Sequence, residues 1–325
     1  MTQLHGILFA LCTTLLWSVG IFPFTQAARR LGSNTLNHFR LLLAAVMLAV
    51  AALIIDSGNF SHIFSANYFY SWMWLSLSGI VGLSIGDYFV FKAFSIFGAR
   101  IGSVLTTLAP AAALLAGSLL LGENINVIGI VGMAITIAGV IGISFGKKER
   151  EAIPDRGHGS AFAGIIAGIL GAICQGVGLV LSKKGMINVA HSITIAPITA
   201  TFMRITAATV TIFIFTMLFG KIKTVLAPVF ENRQHGIKHA VAGTICGPFL
   251  GVTFSLAAIR LIDVSVAQTI FSLVPAGALL ISFLLYKEKI SFQSLIGVIV
   301  AISGVLILIW RDYLQHLLSF ALSGS

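Results

Sequence analysis

Charge is what this sequence has least of. Only 9% of its 325 residues are Asp, Glu, Lys or Arg, against roughly a quarter in soluble globular proteins. A water-facing surface therefore cannot be built along most of the chain, and no room is left for a soluble catalytic domain. Cysteine is nearly as scarce. Cys12, Cys174 and Cys246 are odd in number, lie inside apolar runs and have no metal-ligand spacing. They read as small packing residues rather than as a disulfide framework or a metal site. The chain has no Walker lysine loop and no strand-led GxGxxG, which argues against ATP-driven pumping. What remains is apolar: 58% of residues are hydrophobic and the mean hydropathy is +1.02.

About 20 mostly apolar residues span a bilayer as a helix. Ten such stretches can be marked, at approximately 4–28, 33–55, 69–97, 100–121, 125–145, 160–183, 194–219, 238–259, 264–285 and 292–312. The expected fold class is an all-α membrane protein of ten transmembrane helices. Several connections are only a few residues long, as at Gly98–Arg100 and Leu261–Asp263, so their neighbours form antiparallel hairpins. The first run is too long for a cleavable signal and is followed, not preceded, by Arg29 and Arg30. The net charge of +10 lies in short clusters between apolar runs, where it orients a membrane protein rather than binding nucleic acid. Odd-numbered connections hold most of it, including Lys147, Lys148, Lys221 and Lys238, while even-numbered ones hold Lys183, Lys184 and Arg260. Odd connections are thus expected in the cytosol and both termini outside it, in the cell (inner) membrane.

Sliding the sequence on itself by 165 positions aligns 82–143 with 247–308 without a gap. Gly82/Gly247, Gly86/Gly251, Pro110/Pro275, Glu123/Glu288, Gly132/Gly297 and Gly139/Gly304 fall in register. Composition alone matches leucines by chance; it does not place a proline, a glutamate and four glycines together. At slightly different offsets Gly20 pairs with Gly178 and Arg40 with Arg204. The organisation read from this is a first five-helix repeat over 1–146, a charged connecting loop over 147–159, a second five-helix repeat over 160–312 and a C-terminal tail over 313–325. Five is odd, so the two repeats enter the membrane in opposite directions. Inverted repeats recur in secondary transporters, where substrate sits near the midplane between them.

A proline-containing helix, an LLxGE-type turn and a glycine-rich helix occur twice, in LAPAAALLAGSLLLGENI and LVPAGALLISFLLYKEKI, and Arg40 and Arg204 stand in matching FR-L and MR-I pairs. In these features the chain resembles the EamA branch of the drug/metabolite transporter superfamily over nearly all its length. GDYFVFKAFSIFGAR is also similar to one bacterial subgroup. The resemblance implies a ten-helix carrier with a central cavity, commonly exporting amino acids or other small metabolites. One departure is Tyr286-Lys287-Glu288-Lys289, where the first repeat has Leu-Gly-Glu-Asn.

Of the ten acidic side chains, Asp87 alone falls mid-helix. An intramembrane ionisable residue is a functional candidate by default, and desolvation of its carboxylate suits reversible protonation. Asp87 is the candidate for proton coupling and for substrate contact; the rival is a structural ion pair with Arg40, Arg204 or Lys92. Trp17 and Gln175 hold equivalent places in the two repeats, facing the central axis, and with Gln268 complete the expected substrate contacts. Ser103, Thr106, Thr107 and Thr269 could add polar groups. Pro110 and Pro275 each remove a helix hydrogen bond and are expected to kink their helices. Arg40, Arg204, Glu123 and Glu288 read as structural charges, the glutamates accepting backbone N–H bonds at the start of the next helix. No metal site or cofactor is expected; His235 and His239 lie in a basic interfacial stretch.

The leading expectation is a secondary active exporter of small metabolites such as amino acids, working by alternating access and coupled to protons, with the lipid bilayer and a second copy of the chain as partners. The alternatives are a flippase-like carrier of lipid-linked substrates, a channel, and a membrane-embedded enzyme. The last lacks paired intramembrane aspartates and any nucleophile–base pair, so the chain is expected not to be an enzyme.

Overall fold

The computed structural model describes residues 2–55, 60, 62–144, 161–188, 193–231, 235–286 and 291–323. The connecting loop 147–159 and Glu288 lie outside the described residues. The first repeat comprises α1 (Thr2–Leu31), α2 (Ser33–Ile55), α3 (Phe69–Ser78), a π-helical segment π1 (Gly79–Gly86), α4 (Asp87–Leu105), α5 (Ala109–Leu121) and α6 (Val127–Ser144). The second comprises α7 (Ala161–Met186), α8 (Pro197–Leu218), α9 (Ile222–Phe230), α10 (Gly236–Thr244), a second π-helical segment π2 (Ile245–Gly251), α11 (Val252–Leu261), α12 (Val264–Phe271), α13 (Val274–Tyr286) and α14 (Phe292–Ile309). A last helix, α15 (Arg311–Ser323), occupies most of the stretch expected to be a tail.

Among the described residues, eight helical spans are long and apolar enough to cross a membrane, and two shorter apolar helices, Thr106–Leu121 and Val127–Gly142, accompany them. They follow the order of the apolar stretches marked in the sequence, with eight rather than ten of them reaching spanning length. Many leucines, isoleucines and phenylalanines point outward, Leu115, Leu119 and Leu284 among them, as a lipid-facing surface requires. The small exception to an all-helical fold is a two-residue antiparallel pair, Ile187–Asn188 with Ile193–Thr194, which closes the hairpin between α7 and α8.

The two π segments occupy positions 165 residues apart, one in each repeat. Glycine is dense in both, GIVGLSIG and ICGPFLG, and its missing side chain lets a wider turn form against a close neighbour. The expected continuous helix over 69–97 is therefore α3, π1 and α4 in series. The short link expected at Gly98–Arg100 is not a break in helical backbone, which runs to Leu105. The direction of travel nevertheless reverses there. Against α7, Phe97 meets Gly164, Val90 meets Gly171 and Leu75 meets Gly185, whereas Leu105 meets Gly168 and Ala113 meets Gly176.

Repeat symmetry is visible in the contacts themselves. A Cβ on Gly132 would stand 2.8 Å from the Gly304 carbonyl oxygen, and one on Gly139 would stand 2.7 Å from the Gly297 carbonyl oxygen. Exchanging the repeats turns one contact into the other. The pairings also show that α6 and α14, equivalent helices, run antiparallel with backbones almost touching, the close approach that small residues permit. The same exchange relates Gly20, where an added Cβ would stand 3.8 Å from the Gly247 nitrogen, to Gly178, where one would stand 3.0 Å from the Gly82 Cα. The first helix of each repeat thus packs on the third helix of the other: α1 against α10, π2 and α11, and α7 against α3, π1 and α4. The repeats are interlocked rather than set side by side.

Candidate functional site

Where the interlocked first and third helices meet, a cavity of about 180 Å³ is lined by residues of both repeats. Its wall is mostly aromatic and aliphatic, and Trp17, Phe24, Phe91, Phe94 and Phe271 are its aromatic members. Trp17 packs edge-on against Phe271 with ring centroids 5.1 Å apart. Its indole nitrogen occupies space that only a glycine at 251 leaves open, since a Cβ there would stand 2.3 Å away. Phe24 fills the matching notches at Gly243 and Gly247.

The polar groups converge on one side. Asp87 opens α4 directly after π1, its backbone N–H donating to the Gly82 carbonyl so that helical backbone runs through it unbroken. One of its oxygens accepts from the Arg40 guanidinium and the other from the Gln175 side-chain amide. Gln175 also donates to the Gly82 carbonyl at 3.2 Å. Arg40 is itself held by Asn37, whose side-chain oxygen accepts from Nε at 3.0 Å and from Nη2 at 2.8 Å, and its guanidinium lies 4.8 Å from the centroid of Phe91. Three helices, α2, α4 and α7, are tied together by this one carboxylate. The sequence left the partner of Asp87 open among Arg40, Arg204 and Lys92; the structure gives Arg40.

Arg204 behaves differently from its repeat equivalent. It is 1% exposed, and its terminal nitrogen reaches within 2.6 Å of where a Cβ on Gly82 would lie, so the missing side chain of that glycine makes its berth. It lines the cavity. Among the described residues it makes no ion pair, and its Nε has no hydrogen-bond partner. The sequence treated the two arginines alike; the structure separates them.

Gln268 also lines the cavity, its amide donating to the Gln175 carbonyl at 3.4 Å. Thr106 and Ser272 contribute to the wall, whereas the Thr269 hydroxyl turns back to the Ser265 carbonyl at 2.8 Å. The break expected at Pro110 and Pro275 takes the form of a helix start. Each proline is the second residue of its helix, α5 or α13, where a missing N–H costs no bond. A 3₁₀ turn, Thr106–Leu108, precedes the first, and Pro275 reaches the cavity wall.

A second polar cluster, missed from sequence, sits one turn beyond Leu179, a wall residue. Lys183 donates to the Glu123 carboxylate at 2.7 Å and to the Ile262 carbonyl at 2.8 Å. The other Glu123 oxygen accepts from the Val264 N–H at 2.9 Å. Glu123 therefore serves a helix start, but that of α12 in the other repeat, not of the next helix in its own. Arg311 pairs with Asp263 at 2.8 Å beside it. The pairing was hidden because Lys183 and Glu123 are 60 residues apart and are brought together only by the interlocked packing. Among the described residues no group of three His, Cys, Asp or Glu side chains could hold a metal ion.

Comparison with known proteins agrees with this architecture. The model of the EamA-like transporter family matches residues 4–145 and again 162–310, one match per repeat. A solved structure, described only as a crystal structure of a protein, shares 16% identity at a TM-score of 0.65, covering 93% of this chain and 95% of that one. That likeness speaks for the fold. No curated protein sequence matches. With the family matched over both halves of a multi-pass helical membrane protein, the chain belongs to the EamA-like transporter family, a group of membrane transporters.

Proposed function

We propose that the protein is a secondary active carrier that exports small metabolites, amino acids among them, across the cell (inner) membrane by alternating access. The observation that supports this most is the cavity itself, lined by equivalent helices of two oppositely directed repeats and holding a few charged and polar side chains in a mostly apolar wall. Transporters with inverted repeats bind substrate at such an interface and rock one body against the other. The interlocked packing makes the moving bodies mixed: α1 and α2 travel with π2 and α11, and α7 and α8 with π1 and α4. Lys183, bridging Glu123 and Ile262, is the closure at one face, and positive-inside counting puts that face outside the cytosol.

Asp87 is the coupling site in this reading. Protonation frees Arg40 and Gln175 together, so one proton loosens contacts among three helices. The reading is tested by untargeted mass spectrometry of medium from cells producing wild type, Gln175→Ala or no protein. A small metabolite enriched outside only with wild type is the expected result; no soluble metabolite differing among the three overturns export. Asp87→Asn is expected to abolish accumulation against a gradient while leaving exchange, and equal concentrative transport in the mutant removes the proton-coupling role.

A further inference from the structure

Two guanidinium groups and one carboxylate line the cavity. Arg40 takes the carboxylate as its ion pair, so although Asp87 also attracts Arg204 across the cluster, the lining keeps one positive charge in excess inside the membrane. A buried charge without an ion pair is costly, and among the described residues no ion pair reaches Arg204 and its Nε has no hydrogen-bond partner. Repeat symmetry shows what is missing. Arg40 corresponds to Arg204, and Asp87 corresponds to Val252, 165 positions on. Where the first arginine faces an acid from the third helix of its own repeat, the equivalent position for the second is an apolar side chain at the cavity wall.

On these grounds we infer that the cavity takes a small organic monoanion, whose carboxylate occupies the place at Arg204 that Asp87 occupies at Arg40. The body of the molecule lies along the aromatic wall, where Trp17 and Phe271 offer flat apolar contact. The Gln268 amide, held only by a long 3.4 Å bond to the Gln175 carbonyl, supplies a second polar contact. A guanidinium grips a carboxylate through two parallel hydrogen bonds, so the head group fixes the orientation while the wall tolerates variation in the body. A cationic guest would add a second uncompensated charge and is rejected. This substrate class rests on the carrier reading of the cavity, but binding is separable from transport.

The test uses three probes with one body and different heads: phenylacetate, phenylacetamide and 2-phenylethylammonium. Each is titrated into purified full-length protein while thermal unfolding is followed. Phenylacetate alone is expected to raise the unfolding temperature in a saturable way. Arg204→Met is expected to weaken half-saturation roughly ten- to hundredfold, as loss of a hydrogen-bonded charge predicts. It should not lower the unfolding temperature of the empty protein, because it removes an uncompensated charge; an arginine that only ties helices together would make that variant less stable. Arg204→Lys, which keeps the charge and loses the fork, should bind with intermediate affinity. A wild type that responds equally to the amide or the amine, or to none of the three, overturns the assignment, as does phenylacetate binding unchanged in Arg204→Met. Counterflow of labelled phenylacetate into proteoliposomes, corrected for protein-free vesicles, separates the two readings. Binding without counterflow refutes carriage and keeps the anion site, whereas counterflow of the amine in place of the acid does the reverse.

Discussion

Arg40 and Asp87 show how a charge is kept inside a membrane protein. Neither is tolerable alone; together with Asn37, Gln175 and the face of Phe91 they form a neutral cluster in which every charged group has a partner. Removing one member leaves the other buried and uncompensated, which typically costs about 3–5 kcal/mol. Arg40→Met and Asp87→Leu are each expected to lower thermal stability in detergent by that order, and the double variant to lose less than either alone. A double variant whose loss equals the sum of the singles contradicts the pairing. Arg204 has no such cluster, and the same reasoning predicts the opposite response to its removal. The two arginines matched in sequence because residue type and depth along a helix can be read there. Their different surroundings cannot, since the angle at which α2 and α8 present their faces depends on packing across the repeats.

At the scale of helices, glycine placement decides which backbones meet. In α6 the contrast is sharp. A Cβ on Gly139 would stand 2.4 Å from the Ala301 backbone nitrogen, whereas one on Gly142 meets nothing nearer than 3.8 Å. Backbone cannot move aside as a side chain can, so Gly139→Ala is expected to abolish the monodisperse folded protein on size-exclusion chromatography. Gly142→Ala should be tolerated; equal behaviour of the two contradicts the interface. The repeat was legible because these glycines, with Pro110/Pro275, hold register over 62 positions, 82 to 143. The π segments were not: a glycine-rich stretch announces close packing, but an extra residue per turn leaves no mark in hydropathy. Nor did the stretch after Pro154 announce that α7 would cross over to pack on α3, π1 and α4.

For the whole molecule, the membrane class, the all-helical fold and the repeat followed from composition and register. Asp87 stood out as the lone mid-helix acid. What sequence left open were the contacts that join distant segments, namely Asp87 with Arg40, Lys183 with Glu123, and Trp17 in the notch at Gly251. The first joins helices within one repeat, and the other two arise where one repeat is interlocked with the other. The proposed carrier exposes its cavity to one face at a time, with Lys183 and Glu123 proposed to close one of them. The most direct measurement places a single cysteine at Ser272 in the cavity wall and labels it with an impermeant maleimide from each face of oriented vesicles. The native cysteines are replaced by serine, and the labelling is repeated with Lys183→Met. Alternating access predicts that wild type is labelled mainly from the face opposite Lys183, and that Lys183→Met raises labelling from the Lys183 face while lowering it from the other. Labelling that rises from one face without falling from the other, or that reaches Ser272 equally from both faces in wild type, describes a channel and contradicts a carrier.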